Sequence, residues 1–291
     1  MNDTRRFISP SIHFHDAAFD SSRTDKFCLV LQISADSLCF AVLDNLTNDF
    51  LAFEKYQLKK VNAELTLSDQ LDKIVADHDW LGAGFKRVDA SIVTERFTLV
   101  PSAFFDSTKI SDYLNFNHPV TEEDVIVNDV LRNAEARNIY ALDAKLEKSL
   151  KKISSSVRIR HHFSPLIERT LSVNKNKSSR RVLANVQNQR FDLVITEGGK
   201  LLLANSFSFQ TGEDFIYYLL FACEQLKMNP EELDLEITGE IETDSALAGL
   251  AKKYIRNIHF GQRPVEARFA KGFEQFPSHF YHILFSLHYF S

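Results

Sequence analysis

Alternating apolar and polar positions predict the same group of strands twice along the chain. Residues 40–58 and 191–209 each contain two apolar runs around a polar turn, and they align without a gap at an offset of 151. The second turn contains two adjacent glycines, which accept the positive φ angles of a tight hairpin. Each hairpin follows another apolar run, at 27–33 and 181–186. The pattern therefore predicts three antiparallel strands at the start of each half.

A helix is predicted after each hairpin, where the apolar period changes from 2 to 3.6 residues. Both helices begin with the same capping signal, Thr66-x-x-Asp69 and Thr211-x-x-Asp214, now at an offset of 145. In each helix the capping signal is followed by mostly apolar residues at positions i, i+3, i+4 and i+7, which would cover one helix face. The corresponding members of this stripe are Leu71, Ile74, Val75 and His78 in the first half and Ile216, Leu219, Leu220 and Cys223 in the second.

A strand follows each of these helices, at residues 88–95 and 233–240, with Asp, Ile and Glu at matching positions. Because a strand that returns through a helix makes a right-handed crossover, we expect it to lie parallel beside the first strand of its half. The fall in offset from 151 to 145 places a six-residue insertion near residues 59–64. Three matching elements in the same order indicate an internal duplication.

A helix, a strand and a last helix are expected to complete each half. In the second half they lie at residues 245–255, at 257–260 and from about 278 onward, and in the first at 107–114, 157–161 and 164–172. Between the helix at 107–114 and the strand at 157–161 of the first half, residues 120–153 are predicted to form a small inserted subdomain. It would contain strands at 125–131 and 138–142 and an amphipathic helix at 143–153.

The fold predicted from these elements is α/β, with two β-β-β-α-β-α-β-α halves whose mixed sheets are flanked by helices. The expected boundaries are an N-terminal arm at 1–24, a first half at 25–173 with its insertion, a linker at 174–180 and a second half at 181–291.

Two tandem halves of this kind resemble the actin, hexokinase and heat-shock ATPase superfamily, which has a ribonuclease H-like fold. More narrowly, the chain is similar to an uncharacterised family, found mainly in Bacteroidetes, that has an actin-like ATPase fold and no assigned activity. The resemblance implies that the first turn of each half surrounds nucleotide phosphates and that a Gly-rich turn holds the adenosine. The matching positions are Ser34, Asp36 and Ser37 in the first turn, Gln187 and Asn188 in the second, and Thr238, Gly239 and Glu240 in the adenosine turn.

These turns depart from the superfamily pattern. The first has Asp36 but no glycine, and the second has neither an aspartate nor a glycine. A backbone that approaches a phosphate often needs positive φ, and the magnesium ion needs a carboxylate nearby. We therefore predict a degenerate nucleotide site, a binding or scaffolding role without ATP hydrolysis, and no required cofactor. ATP with magnesium is disfavoured but stays open, in an ATPase or a sugar-kinase-like phosphotransferase with atypical loops.

Composition places the chain among globular proteins, with 44% hydrophobic and 25% charged residues. The longest apolar run, 215–223, is far shorter than the roughly 20 residues that span a bilayer, and residues 1–26 contain no apolar signal-peptide core. We therefore expect a cytoplasmic protein that does not enter the membrane. Cys28, Cys39 and Cys223 all lie in apolar segments and are expected to pack in the core, with Cys39 opposite Gln32 in the first hairpin.

Positive charge is concentrated in one segment, although the net charge of the whole chain is −5. Residues 145–181 contain eleven Lys or Arg and two acidic residues. This asymmetry makes a polyanionic partner, RNA or DNA, a second alternative function, while a solvated helix and an interdomain linker are the plainer interpretation. The candidate polyanion contacts are Lys145, Lys148, Lys151, Lys152, Arg158, Arg160, Arg180 and Arg181.

Neither catalytic residues nor a metal site are predicted, because no Gly-x-Ser-x-Gly motif or activated cysteine is present. His279 and His282 would share one face of the last helix, but the sequence indicates no third ligand. His161 and His162 would point to opposite faces of a strand, one buried and one wet. The phenylalanines, at 104–105 and between 260 and 290, are expected in the core. A protein partner, the ligand and the oligomeric state stay undetermined by the sequence.

Overall fold

The computed structural model describes residues 8–61, 65–176 and 179–290. Its first sheet contains β1 to β5, β9 and β15. Five of these strands run in the order β4-β3-β2-β5-β9, with β1 and β15 added to the outer edge of β4. Their bounds are Ile12–His15 (β1), Phe27–Ile33 (β2), Ser37–Asp44 (β3), Asp49–Gln57 (β4), Arg87–Ile92 (β5), Arg158–His161 (β9) and Arg268–Phe269 (β15).

The second sheet has five strands in the equivalent order, β12-β11-β10-β13-β14. In both sheets three antiparallel strands come first, and the strand after the next helix returns parallel to the first, as the sequence predicted. Central strands are covered on both faces and are therefore mostly apolar. The bounds are Arg180–Gln187 (β10), Arg190–Glu197 (β11), Lys200–Ser208 (β12), Asp234–Gly239 (β13) and Asn257–Phe260 (β14).

A separate three-stranded sheet, in the order β6-β8-β7, lies beside the first half. Its strands are Phe97–Pro101 (β6), Asp124–Leu131 (β7) and Ala136–Asp143 (β8), and β6 was not predicted. The helices are Leu67–Ala76 (α1), Ile110–Asn115 (α2), Ala144–Ile153 (α3), Phe163–Asn174 (α4), Gly212–Gln225 (α5), Ala246–Tyr254 (α6) and His282–Leu287 (α7). Both predicted capping boxes are present, at the starts of α1 and α5.

The inserted subdomain differs from the prediction at both ends. It extends from β6 to β8, approximately residues 97–143, and the helix predicted at 107–114, which is α2 after a short 3₁₀ turn, packs on its sheet. Helix α3 lies outside it, because Leu146, Leu150 and Ile153 pack into the core of the first sheet beside α1. Helix α3 thus takes the place beside α1 that α6 takes beside α5.

The last helix of each half packs against the sheet of the other half. On α4, Leu166 and Ile167 share a cluster with Leu183 and Val194 of the second sheet. On α7, Leu284 and other residues pack on the face of the first sheet that contains Val30. Each sheet therefore has its own two helices on one face and a helix of the other half on the opposite face.

Several local predictions need correction. The predicted N-terminal arm contributes β1 to the first sheet, with Phe14 paired to Phe53, while residues 1–7 lie outside the described part. Residues 62–64 of the predicted six-residue insertion and 177–178 of the linker also lie outside it. Phe273 and Phe285 are buried as expected, but Phe104, in a short 3₁₀ helix after β6, is 76% exposed. All three cysteines are free and buried, and Cys39 lies opposite Gln32 as predicted.

Candidate functional site

The first candidate phosphate turn, between β2 and β3, is closed by its own side chains. Ser34 Oγ donates to Asp36 Oδ1 at 2.7 Å and lies 2.8 Å from Ser37 Oγ. The Ser37 amide donates to Ser34 Oγ at 2.9 Å, and the Ser34 amide donates to the Ser37 carbonyl at 2.9 Å. The hydroxyl groups and backbone amides of Ser34 and Ser37 therefore already form hydrogen bonds within the turn.

The second candidate turn, between β10 and β11, touches the first one directly. Asn188 has a positive φ of 46°, a conformation that Asn adopts more readily than most residues. Its Nδ2 donates to Asp36 Oδ2 at 3.0 Å, whereas Gln187 ends β10 and pairs with Arg190 across the hairpin. The structure therefore brings Asp36 and Asn188, which are 152 residues apart, into a contact between the two halves.

Both oxygens of the Asp36 carboxylate thus accept hydrogen bonds, from Ser34 and from Asn188. Burial opposes ionisation, but these two hydrogen bonds and the Lys55 charge outweigh it and lower the pKa of Asp36 below its usual value. The group is an ionised acceptor that holds the two turns together.

The candidate adenosine turn lies beside the same junction. Gly239 has φ +91°, and a Cβ at this position would lie 2.0 Å from the Val186 carbonyl oxygen at the end of β10. Glu240 donates its amide to that oxygen at 2.8 Å, and Thr238 Oγ1 donates to the buried Asn185 at 3.2 Å. The glycine of this turn is therefore required by the close approach of β13 to β10.

A second contact between the halves was not predicted from the sequence. Lys55 on β4 forms an ion pair with Glu240, and its Nζ lies 5.5 Å from the centre of the Tyr281 ring. In the sequence, Lys55 stands out only as a lysine within the mostly apolar strand β4. Sequence periodicity gives the face of a strand but not the partner in another half, so the pairing became visible only in three dimensions.

The candidate polyanion contacts are mostly paired with carboxylates of the chain. Six of the eight form ion pairs, whereas Lys145 and Lys148 are exposed on α3. These eight side chains thus do not form the continuous track of unpaired cations that a phosphate backbone requires. The pairs are Lys151 with Glu147, Lys152 with Asp72, Arg158 with Asp89, Arg160 with Asp129, Arg180 with Glu197 and Arg181 with Asp234.

Both predictions about paired histidines were wrong in their geometry. His161 ends β9 and His162 is already the N-cap of α4, so both rings are fully buried instead of one being wet. His279 precedes α7 and its Nε2 donates to the Ile241 carbonyl at 2.7 Å, while His282 begins the helix. The turn at Tyr281, with a φ of 53°, lies between His279 and His282, so the two do not share one helix face.

A buried polar group surrounds His161 where the inserted sheet meets α4. Asp129 Oδ2 accepts from Ser164 Oγ at 2.6 Å and from the His161 amide at 2.8 Å. Asn138 Nδ2 donates to His161 Nδ1 at 3.0 Å, and His161 Nε2 donates to the Thr94 carbonyl at 2.9 Å. Burial lowers the pKa of His161 well below its usual value, so the ring is neutral with its proton on Nε2.

Burial also raises the pKa of Asp129 to about 6, against the opposing effects of Ser164, His161 and Arg160. Asp129→Asn should therefore stabilise the protein relative to wild type at pH 7.5, by at most about 3 kcal/mol, because it removes a buried charge. In the wild type this group adds stability as the pH falls through about 6, since the native state takes the proton first, and the gain ends below about 4. Urea unfolding between pH 4 and 8 measures the difference.

Asp124→Asn, on the same strand, is the matched control for this prediction. The Arg96 hydrogen bond holds the pKa of Asp124 at about 2, so this variant should lose stability at neutral pH and approach wild type in acid. If Asp129→Asn also destabilises the protein most at neutral pH, the Asp129 anion is favourable and the prediction is wrong.

Residues 16–258 match the family described as "Protein of unknown function (DUF3822)". The chain belongs to this family. The DUF3822 chain is also similar to a solved protein of Bacteroides thetaiotaomicron with an actin-like ATPase fold and unknown function, at 26% identity and a TM-score of 0.76. The alignment covers 84% of this chain and 94% of that one, which confirms the actin-like ATPase fold predicted from the sequence.

A more distant likeness of the DUF3822 chain is to the PilM-PilN type IV pilus biogenesis complex. It has a TM-score of 0.51 and 12% identity over 89% of this chain and 97% of that chain, and it shows the fold alone. The search of curated proteins gave no match. Within the described residues, no helix combines the length and apolarity needed to cross a bilayer.

Proposed function

We propose that this DUF3822 protein is an actin-like ATPase-fold module that works by binding a partner and does not hydrolyse ATP. The observation that carries the proposal is the hydrogen bond between Asp36 and Asn188, which joins the turns that correspond to the two phosphate loops of the superfamily.

The distance between these turns argues against a bound triphosphate. A phosphate held from both sides would accept hydrogen bonds of about 2.7–3.2 Å from each loop, so groups on opposite loops would lie roughly 5 Å or more apart. Asn188 Nδ2 and Asp36 Oδ2 are 3.0 Å apart. Nucleotide binding would therefore first have to break this contact.

Charge at the junction argues in the same direction. Lys55, whose charge acts on Asp36, is already paired with Glu240, and both oxygens of Asp36 accept hydrogen bonds from the protein. A magnesium ion would have to displace Ser34 or Asn188 from the carboxylate, and a triphosphate would meet two negative side chains. A partner-binding role needs neither step. The PilM-PilN complex shows that a similar fold occurs in a protein complex.

ATP with magnesium should leave the melting temperature unchanged, because a ligand that does not bind the native state does not stabilise it. Purified protein should also release no phosphate above background. The matched variant is Asp36→Ala, which we expect to lower stability by about 1–2 kcal/mol through lost hydrogen bonds while leaving the background phosphate release unchanged. A turnover that Asp36→Ala abolishes would overturn the proposal and make Asp36 the metal-positioning residue of an ATPase or phosphotransferase.

The binding role has its own measurement. Proteins retained by the tagged chain from lysate of its native host should be the same with and without ATP and magnesium. A retained set that changes when ATP is added would show that nucleotide controls binding, which contradicts a nucleotide-independent module.

A further inference from the structure

A group of metal-ligating side chains lies at the outer edge of the first sheet. His13 and His15 alternate along β1, so both point to the same face of the sheet. Strand β1 pairs antiparallel with β4, and His13 lies directly opposite Glu54. Strand register therefore places two imidazoles and one carboxylate on one face, although Glu54 is about 40 residues away in sequence.

The ligand atoms of these residues converge on one point. His13 Nδ1 lies 3.1 Å and His15 Nε2 lies 2.8 Å from Glu54 Oε1, and the ligand atoms of the group all lie within 4.8 Å of one another. In a tetrahedral zinc site, with bonds of about 2.0–2.2 Å, neighbouring ligand atoms are roughly 3.4 Å apart. The two nitrogen–oxygen distances, 3.1 and 2.8 Å, differ from this value by about 0.3 and 0.6 Å, so small ring movements would bring Glu54 Oε1 and each imidazole to zinc spacing.

Surrounding groups fix the carboxylate of this site. Glu54 is 1% exposed, and its second oxygen accepts hydrogen bonds from the Tyr56 hydroxyl and from His78 Nε2 at 3.1 Å. His78 Nδ1 donates in turn to the Ile74 carbonyl at 2.8 Å. Metal ligands in proteins are oriented by such outer hydrogen bonds, which leave one carboxylate oxygen for the ion.

Aromatic packing holds one histidine, and the solvent reaches the other. The His15 ring lies edge-on to Phe19 and Trp80, with ring centres 5.2 and 5.6 Å away. The His13 side chain is 52% exposed and that of His15 is 27% exposed, so the ion could enter from the solvent side. Two histidines and one carboxylate with an open side are the donor set of a three-ligand zinc centre.

We propose that His13, His15 and Glu54 bind one divalent transition metal ion, Zn²⁺ by the nature of the donors. The ion ties β1 to β4 and keeps a fourth coordination position for water or a ligand. A hard ion such as Mg²⁺, which prefers an all-oxygen shell, does not replace it.

The test uses the full chain, treated with a chelator and dialysed, and titrated with zinc chloride. We expect one zinc per chain by elemental analysis and a melting temperature that rises with zinc concentration, as linkage requires, whereas magnesium chloride has no such effect. Cobalt(II) chloride should give the strong visible absorption of four-coordinate cobalt.

The double variant His13→Gln/His15→Gln should weaken zinc binding by more than about 100-fold, beyond the 10- to 100-fold cost of losing an outer-shell group. His118→Gln is the matched control, because it removes a histidine of the inserted subdomain, and it should bind zinc as the wild type does. If the double variant fails to fold, His13→Gln alone, which changes an exposed side chain, replaces it in the zinc-binding measurement.

Three results would overturn the proposal. Zinc that binds below stoichiometry, zinc that binds the single or double variant as tightly as wild type, or equal stabilisation by magnesium would each show that the side chains form only a hydrogen-bonded cluster around Glu54.

Discussion

Gly239→Ala is expected to destabilise the protein by about 3–5 kcal/mol. The added Cβ would lie 2.0 Å from the Val186 carbonyl oxygen and 2.8 Å from the Val186 amide nitrogen, both of which are backbone atoms in the centre of the second sheet. The position also has φ +91°, which an alanine adopts only with strain. Relief would require β13 to move away from β10, where the amide of Glu240 donates to the same carbonyl.

Gly249→Ala provides the matched control, because the same change is made in an open place. Gly249 lies in α6, and an added Cβ there would meet no atom within 4 Å. Alanine should stabilise this helix by up to about 1 kcal/mol. Chemical unfolding of both variants tests whether their changes in the free energy of unfolding have opposite signs. Equal and small effects at the two positions would show that the approach of β13 to Val186 is looser than the structure indicates.

Asp192→Ala is expected to cost about 3–5 kcal/mol, because it removes one partner of a fully buried charged group. Asp192 on β11 accepts from Ser206 Oγ at 2.7 Å, and its Oδ1 lies 3.2 Å from His162 Nε2. Burial opposes ionisation of Asp192, but the neighbouring charges of His162 and Arg190 and the hydrogen bonds outweigh it and lower its pKa. Without Asp192, the buried polar groups that face it would have no acceptor.

Because the folded pKa of Asp192 is lowered, its stabilisation is complete above the unfolded value of about 3.8 and is lost as the pH falls below it. Guanidinium unfolding of the variant should therefore differ most from wild type at neutral pH. Ser206→Ala, which removes a single hydrogen bond to the charged group, should cost only about 2 kcal/mol. A smaller loss for Asp192→Ala than for Ser206→Ala would contradict this account.

Periodicity within the chain predicted most of the two large sheets. The offset of 151 between the hairpins corresponds to strands β3–β4 and β11–β12, and the crossover rule placed β5 and β13 beside β2 and β10. These predictions succeeded because each depends on local alternation and on connections between consecutive elements.

The inserted subdomain was harder to delimit, because its limits depend on packing. Strand β6 has only five residues and follows β5 closely, so no turn signal separated it from the first sheet. The amphipathic pattern of helix α3 is the same whichever core the helix packs against. Only its contact with α1 shows which core receives Leu146, Leu150 and Ile153. Sequence patterning gives the apolar face of an element but not the surface that covers it.

The candidate site was predicted in part. Ser34, Asp36, Asn188, Gly239 and Glu240 were chosen by position within the repeat, and the structure brings their turns together. That these turns bond to one another was not predictable, because side-chain contacts across 152 residues leave no periodic signal. The histidine group around Glu54 was missed for a similar reason, although the alternating His13-x-His15 in a strand was an available signal.

The exchange of α4 and α7 between the two sheets has a consequence for biosynthesis. The face of the first sheet that contains Val30 stays bare until residues 282–287 have left the ribosome, since α7 covers it. The amino-terminal half would then wait, partly formed and with apolar surface exposed, through the translation of more than a hundred further codons. A nascent chain of this architecture should therefore engage chaperones until α7 has emerged, and it should gain its native cooperativity only once α7 covers the first sheet.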